Sequence, residues 1–291
     1  MIRPCFRRFA RGLALLLLAA AASGAAHAFW DEGTVPFVVS PQEVVHRMLR
    51  IAEVGPQDML IDLGSGDGRV VIGAARRGAR ALGVEIDPDL VAQARENAAR
   101  ENLSERARFA HQDLFETDLS QASVVTMYLL PQINLKLMPR LLQLAPGTRV
   151  VSHDWDMGPW LPDETLSVRA PDKSVGGRNG LSYIHLWVVP AKAAGEWRGR
   201  VEGLGGEWRI RIRQTYQMLD VEADESGREL VVRASRLRGR EIKLVVSGLV
   251  GGRPMNLLLA GKVEGARIEG RARMFDGQTE EERTWSATRV Q

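Results

Sequence analysis

The sequence predicts an α/β domain followed by a smaller all-β domain. Between about residues 36 and 190, helix-like and strand-like stretches alternate, which is typical of a sheet covered by helices. From Glu196 onward, short runs of alternating apolar and polar residues, such as 208–213, are separated by glycine turns. We therefore place the α/β domain at residues 29–192 and an antiparallel β domain, of sandwich or barrel type, at residues 195–291.

Local signals predict the elements of the α/β domain. Ser40-Pro41-Gln42-Glu43 has a serine suited to the N-cap, a proline suited to the first helical position and a glutamate three residues after the cap, so a helix is expected there. A helix is also expected after Asp87-Pro88 and another over about 133–144. Strands are expected at 59–63, 81–86, 108–110, 123–128 and 149–152, and at 166–169 and 181–189, which lack a long helix between them and are expected to form an antiparallel edge.

The N-terminal segment has the pattern of a secretory signal peptide, predicted at residues 1–28. Four arginines lie within its first eleven residues, an apolar run extends over Leu13–Ala22, and Ala26-His27-Ala28 matches a cleavage site. A membrane-spanning helix needs about 20 apolar residues, which is twice the length of this run. We therefore expect cleavage near Ala28 and export to the periplasm or the extracellular space. The alternative is an uncleaved N-terminal membrane anchor.

Charge and cysteine usage exclude several classes of function. The formal net charge is +3, but the segment 1–28 holds four arginines and no acid, which leaves 35 basic and 36 acidic residues in the remainder. We therefore expect no nucleic-acid partner. The only cysteine, Cys5, lies in the segment predicted to be removed, so thiol chemistry and disulfides are not expected. No His, Cys and acid cluster has the spacing of metal ligands, and no metal is predicted.

A glycine-rich loop, Gly64-Ser65-Gly66-Asp67-Gly68, follows the first predicted strand. Glycines at such a turn let the backbone bend sharply and approach a ligand. Arg69 occupies the position where a dinucleotide-binding fingerprint has its third glycine. Asp62, two residues before the loop, would repel a pyrophosphate but suits the ammonium group of a methionine. These features favour S-adenosylmethionine (SAM) over a dinucleotide.

Two further acids fall at the ends of the next predicted strands. Glu85 is placed to accept hydrogen bonds from ribose hydroxyls, and Asp113 is placed to accept one from the adenine amino group. Each of these acids has the alternative of being a loop or helix-cap carboxylate, and for Asp113 alone the two explanations are about equal. The coincidence of Asp62, Glu85 and Asp113 with three strand ends favours a cofactor site. The predicted cofactor-binding residues are Asp62, Gly64, Ser65, Gly66, Gly68, Glu85 and Asp113.

Residues 36–189 resemble the class I SAM-dependent methyltransferases, and the acids and glycines above fall on that family's cofactor positions. Within that family, the motifs Pro36-Phe37-Val38, Val45-x-x-Met48-Leu49 and Tyr128-Leu129-Leu130-Pro131-Gln132 resemble the mitochondrial protein-lysine methyltransferases. Those enzymes act on the ATP synthase c-subunit and the adenine nucleotide translocase, and they have bacterial relatives. The resemblance implies a Rossmann-like class I methyltransferase sheet, SAM as cofactor and a protein lysine as the favoured acceptor.

The acceptor is expected where the fourth and fifth strands end, because ligands of such sheets lie outside the carboxyl ends of the strands. Tyr128, His153 and Asp154 lie there and are the candidate catalytic residues. A lysine must lose a proton before it attacks, which costs about 4.6 kcal/mol at pH 7 for an ordinary pKa near 10.4. His153 or Asp154 is a candidate for accepting that proton. The alternative is that both residues only hold the loop.

Three functions remain open from the sequence alone. The favoured one is methylation of a protein lysine, with an envelope or membrane protein as a candidate partner. The second is a small-molecule methyltransferase. The third is a non-catalytic exported binding protein that retains the fold.

Overall fold

The computed structural model describes residues 38–171, 173 and 180–290. The predicted signal peptide and the motif residues Pro36 and Phe37 lie outside this range. From Val39 onward the chain forms one compact unit that contains an α/β sheet and a β-barrel. Within the described residues, none of the helices combines the length and apolar character needed to cross a membrane.

The α/β part has seven strands in the order β3-β2-β1-β4-β5-β7-β6, in which β7 is antiparallel to both β5 and β6. This confirms the predicted Rossmann-like class I methyltransferase sheet with an antiparallel edge. The bounds agree with those predicted to within a few residues. The strands are β1 Met59–Leu63, β2 Arg80–Glu85, β3 Ala107–His111, β4 Val124–Met127, β5 Arg149–His153, β6 Glu164–Arg169 and β7 Leu181–Val188, and the helices are α1 Gln42–Ile51, α2 Arg69–Arg76, α3 Pro88–Arg100 and α4 Pro131–Leu141.

The start of α1 differs from the prediction. Pro41 is the N-cap and no side chain caps the helix, so the expected capping role of Ser40 is wrong. The Ser40 hydroxyl instead lies 2.9 Å from Nδ1 of the buried His153, the last residue of β5. This contact across the fold takes the place of the helix cap. The predicted inner face of α1 is confirmed by the buried Val44 and Met48.

The strand order brings the ends that carry the candidate residues to one edge. β1 lies between β2 and β4, and Asp62 is paired in register with Gly83 on one side and Thr126 on the other. The chain runs outward to β3 on one side of β1 and to β5 on the other. In open α/β sheets ligands bind in the crevice where the strand order reverses, so the cofactor crevice is expected outside the carboxyl ends of β1 and β4.

Beyond the sheet, eight antiparallel strands form a closed barrel, in which β15 pairs with β8. Of the two predicted alternatives, sandwich and barrel, the barrel is therefore correct. Trp197, Trp208 and Trp285 fill its interior and are each at most 2% exposed. On the outer face arginines pair with acids of neighbouring strands, as Arg213 does with Asp220. The strands are β8 Gly195–Val201, β9 Trp208–Thr215, β10 Met218–Glu225, β11 Arg228–Arg238, β12 Glu241–Val250, β13 Arg253–Glu264, β14 Arg267–Phe275 and β15 Glu280–Arg289.

Aromatic stacking and hydrogen bonds join the barrel to the sheet. The rings of Trp160 and Tyr216 stack with centroids 6.3 Å apart, and the indole N–H of Trp187 donates to the Trp160 carbonyl at 2.7 Å. The Gln217 side chain donates to the Leu161 carbonyl at 2.6 Å. The segment that contains Trp160 and Leu161, between β5 and β6, is therefore held by β7 on one side and by the barrel on the other.

One glycine pair in the barrel gives a test of its packing. A Cβ added at Gly270 would lie 1.9 Å from the Ala260 carbonyl oxygen and 2.5 Å from the Gly261 Cα, so the strands would have to separate. We expect Gly270→Ala to lower the free energy of unfolding by about 1–3 kcal/mol in urea denaturation. Gly205→Ala, where a Cβ would meet nothing within 4 Å, is the control. Equal midpoints for both variants would contradict the packing described.

Candidate cofactor and acceptor site

The loop after β1 has a geometry that suits glycine. The φ angles of Gly64, Gly66 and Gly68 are +75°, +51° and +83°, in the left-handed region that other residues rarely adopt. A Cβ at Gly68 would lie 2.6 Å from the Phe109 ring. The loop is fixed to β2, because the backbone N–H groups of Gly64 and Ser65 both donate to the Val84 carbonyl, at 2.9 and 3.0 Å. Contact of these residues with a cofactor remains a prediction.

Asp62 is a buried carboxylate at the carboxyl end of β1. It is 4% exposed, and its Oδ1 accepts a 2.6 Å hydrogen bond from the Thr126 hydroxyl. Burial raises the pKa of Asp62 to about 7, the negative charges of Glu85 and Asp67 raise it further, and the Thr126 hydrogen bond opposes the rise. A carboxylate in this environment suits a cationic partner. Thr126 was not predicted from the sequence, where its one signal is a single hydroxyl in the apolar run Val-Val-Thr-Met of β4.

Glu85 holds the glycine loop as well as facing the crevice. Its carboxylate accepts from the backbone N–H groups of Gly66, Ile86 and Asp87, at 2.9, 2.8 and 3.1 Å. A carboxylate has about four acceptor positions, so roughly one remains for a ribose hydroxyl. Asp113 is exposed, and its Oδ1 accepts from the Phe115 N–H at 2.8 Å.

Arg69 connects the loop to the start of α1. Its guanidinium binds the Asp67 carboxylate, with the closest atoms 2.5 Å apart, and donates to the Ser40 carbonyl at 2.7 Å. The arginine that distinguishes this loop from a dinucleotide fingerprint therefore has a structural partner just before α1.

Asp154 directly follows β5, at the carboxyl ends of β4 and β5 where the sequence predicts that the methyl acceptor binds; we call this region the acceptor edge. Its φ of +65° lies in the left-handed region, which aspartate tolerates better than most residues. Its carboxylate accepts from the Tyr128 hydroxyl at 3.2 Å and from the Tyr183 N–H at 3.0 Å, and it forms an ion pair with the ammonium of Lys173. Burial and the nearby Asp154 charge raise the pKa of Tyr128 above its usual range, so this hydroxyl stays protonated. Lys173 was not predicted from the sequence.

His153 is fully buried beside this carboxylate. Its Nδ1 lies 2.9 Å from the Ser40 hydroxyl and its Nε2 lies 2.9 Å from the Ser182 hydroxyl, while its ring packs on Tyr128 with centroids 3.9 Å apart. Burial lowers the pKa of His153 to about 4, and the Asp154 charge only partly opposes this. The imidazole is therefore neutral at pH 7, with both nitrogens engaged.

The loop after Asp154 is held by Asn134, a fully buried residue of α4. The Asn134 amide donates to the carbonyls of Trp155 and Asp156, at 3.1 and 3.3 Å. Large apolar side chains nevertheless remain exposed around this loop: Trp155 is 36%, Leu135 43% and Tyr183 43% exposed.

The residues of the crevice fit SAM. The left-handed glycine loop offers backbone at close approach, the buried Asp62 suits the ammonium of the methionine part, and acids at the ends of β2 and β3 suit the ribose and adenine. Strand order, loop and carboxylates together define the cofactor site of a class I methyltransferase.

Several known proteins are similar in sequence to the α/β part of the chain. The family described as the ANTKMT methyltransferase domain matches residues 62–164. A protein-lysine N-methyltransferase of Saccharolobus islandicus is 44% identical over 155 residues, which cover 52% of this chain and 93% of the relative. The mouse lysine N-methyltransferase of the ATP synthase c-subunit is 37% identical over 160 residues, covering 53% of this chain and 63% of the relative. The mouse adenine nucleotide translocase lysine N-methyltransferase is 37% identical over 131 residues, covering 44% of this chain and 56% of the relative.

Among solved structures, an RNA methyltransferase from Salinibacter ruber in complex with S-adenosylhomocysteine is 50% identical, with a TM-score of 0.48. The match covers 53% of this chain and 95% of that chain. The Saccharolobus relative is matched over nearly its whole length. The chain therefore belongs to the same family of class I SAM-dependent methyltransferases as that enzyme, and its cofactor is SAM.

The raised pKa of Asp62 predicts that SAM binding depends on pH. Only the ionised carboxylate attracts the ammonium. We therefore expect the Kd for SAM, measured by calorimetry, to be roughly tenfold higher at pH 6 than at pH 7.5. Without SAM, the contribution of Asp62 to stability is present at low pH and is lost as the pH rises through about 7, because its folded-state pKa lies above the ordinary value.

Asp62→Asn is the matched control, because an amide does not ionise in this range. This variant should bind SAM weakly at both pH values. The same pH dependence in the variant as in the parent chain would show that another group is responsible.

Proposed function

We propose that the chain transfers the methyl group of SAM to a lysine of another protein. The observation that carries the proposal is that the Asp154 carboxylate, next to the Tyr128 hydroxyl, already binds a lysine ammonium, that of Lys173. A pocket edge that holds one lysine ammonium has the charge and hydrogen-bonding groups to hold another. The relatives described as lysine methyltransferases support the same acceptor.

The chemistry asks little of the protein beyond alignment and proton removal. SAM supplies a methyl group that is already activated, and no metal is needed. Positioning the amine in line with the sulfonium can supply about 7–11 kcal/mol. In this proposal Asp154 orients the lysine ammonium and accepts its proton, and Tyr128, which stays protonated, holds the carboxylate by donating to it.

His153 acts here as a positioning residue. Both ring nitrogens of His153 contact serine hydroxyls, at 2.9 Å each, so the imidazole is held in place and has no free nitrogen to accept a proton from the substrate. Its tilted ring contact with Tyr128, with centroids 3.9 Å apart, fixes the phenol ring whose hydroxyl donates to Asp154.

The surroundings of Asp154 suggest the kind of protein that carries the acceptor lysine. Trp155, Leu135 and Tyr183 expose apolar surface around the loop. Apolar surface at a binding edge favours partners that are themselves apolar there. We propose an acceptor lysine flanked by apolar residues, in an envelope or membrane protein.

This partner agrees with export of the chain, which we propose from residues 1–28. The native protein is expected to begin at Phe29, after cleavage at Ala28. Terminal sequencing of protein purified from its own cells measures this directly. A native chain that begins at Met1 would contradict cleavage and favour an N-terminal membrane anchor.

The proposed reaction is tested with methyl-labelled SAM, purified protein and an envelope extract. Label should remain with acid-precipitated protein, on lysine. We expect Asp154→Asn to lower the initial rate about 10²-fold or more while the Kd for SAM is unchanged, because the amide cannot accept the proton.

Asp156→Asn is the matched control, since Asp156 lies in the same loop but is exposed and only caps the Gly158 N–H. Label found in soluble metabolites instead of protein would overturn the proposed acceptor. Unchanged turnover in Asp154→Asn would remove this residue from the reaction.

A further inference from the structure

Lys173 stands apart from the other lysines of the chain. The sequence has 34 arginines and only five lysines. The structure describes all five lysines. The side chain of Lys173 is 2% exposed. The other four are exposed, namely Lys136, Lys192, Lys243 and Lys262. Burying a lysine ammonium is unfavourable unless it is paired, and the partner of Lys173 is the Asp154 carboxylate.

The position of the Lys173 amine is defined by contacts on two sides. Its Nζ forms the ion pair with Asp154 Oδ2 and donates to the Leu181 carbonyl at 3.2 Å. The same Oδ2 accepts from the hydroxyl of Tyr128, the residue that follows β4. β4 pairs directly with β1, which carries Asp62. Since neighbouring strands lie about 4.8 Å apart, the ends of β1 and β5 are separated by roughly 10 Å. The amine therefore lies beside the carboxyl ends of β4 and β5, two strands from Asp62, where we expect the methionine part of SAM to bind.

The residue type is also informative. Lys173 is the only lysine in the ion pairs of the described residues. Apart from the contact of His153 with Asp154, all the other pairs use arginine. Arginine is the better residue for a permanent ion pair, because its guanidinium binds carboxylates with two parallel hydrogen bonds and does not lose its proton. A lysine amine can lose a proton and become a nucleophile.

We propose that Lys173 is itself a methyl acceptor, so that the enzyme methylates its own chain at this position. The inference rests on the proposed function, since it uses the same cofactor and the same carboxylate. The Lys173 ammonium gives one proton to Asp154, and rotation about the Cε–Nζ bond turns the amine lone pair toward the methyl group. The new N–C bond forms as the C–S bond breaks, and the sulfur keeps the electron pair. The products are S-adenosylhomocysteine and a methylammonium on Lys173, and Asp154 releases its proton to solvent.

The contacts of Lys173 favour a single methylation. A monomethylated ammonium keeps two N–H groups, which match the two acceptors, Asp154 and the Leu181 carbonyl. A second methyl group would leave one of these acceptors without its partner. The monomethyl form is therefore the expected product.

The test uses the purified full-length chain with deuteromethyl-labelled SAM, followed by digestion and mass spectrometry of peptides that contain each of the five lysines. We expect monomethylation at Lys173 at least roughly tenfold above that at any of the four exposed lysines, because only Lys173 lies against the proton-accepting carboxylate. The rate per molecule should not depend on protein concentration, because the acceptor belongs to the same chain. Lys173→Arg should abolish the modification, and Lys192→Arg should leave it unchanged.

A parallel reaction with the envelope extract separates failure of this inference from failure of the proposed function. Label on extract proteins with Lys173 unmodified would overturn the inference and leave the proposed function in place. A rate that rises with protein concentration would also overturn it, since another copy would then supply the lysine. Absence of label on every protein, with SAM binding still measurable by calorimetry, would overturn both proposals.

Discussion

The buried carboxylate of Asp62 is the constraint on which the cofactor site depends. It lies between β1 and β4, accepts one hydrogen bond from the Thr126 hydroxyl, and has a pKa of about 7 because burial disfavours its charge. A buried carboxylate has to be neutral or paired with a cation. The ammonium of SAM is the cation that we expect to pair with Asp62. The glycine loop that starts two residues later lets the cofactor come close to the backbone.

A continuous set of contacts joins the cofactor loop to the acceptor edge. Arg69, after the loop, donates to the Ser40 carbonyl, and the Ser40 hydroxyl contacts His153. His153 in turn contacts Ser182 and packs on Tyr128, which donates to Asp154. These contacts connect the Asp154 carboxylate, which we propose as the proton acceptor, to the segments that carry Ser40, Arg69, Tyr128 and Ser182. In the proposed reaction His153, which is buried and neutral, orients Tyr128.

The sheet and the cofactor loop can be predicted from the sequence because their signals are local. Neighbouring residues determine where glycines take left-handed φ angles, where Asp87 caps α3 and where apolar strands form. These features appear where they are expected. The cap predicted at Ser40 is wrong because the partner of this residue, His153, is 113 residues away. The roles of Thr126 and Lys173 escape prediction for the same reason, since each depends on a distant carboxylate.

The barrel shows a different limit of prediction from sequence. Strands with a clear alternation of apolar and polar residues, such as β9, are predictable. β10 is not, because its apolar residues Leu219 and Val221 are only partly buried and the alternation is weak. Closure of the barrel also depends on the pairing of β15 with β8, whose paired residues, from Trp285↔Val201 to Arg289↔Trp197, are 84 to 92 positions apart in the chain.

The proposed reaction requires that the sulfur of the cofactor faces the carboxylate of Asp154. A crystal structure of the chain with S-adenosylhomocysteine measures this most directly. We expect the ligand's ammonium against Asp62, its ribose beside Glu85 and its sulfur directed at the space between Tyr128 and Asp154. A complex in which the sulfur points away from the ends of β4 and β5, or in which the ligand lies outside the crevice, would contradict this arrangement.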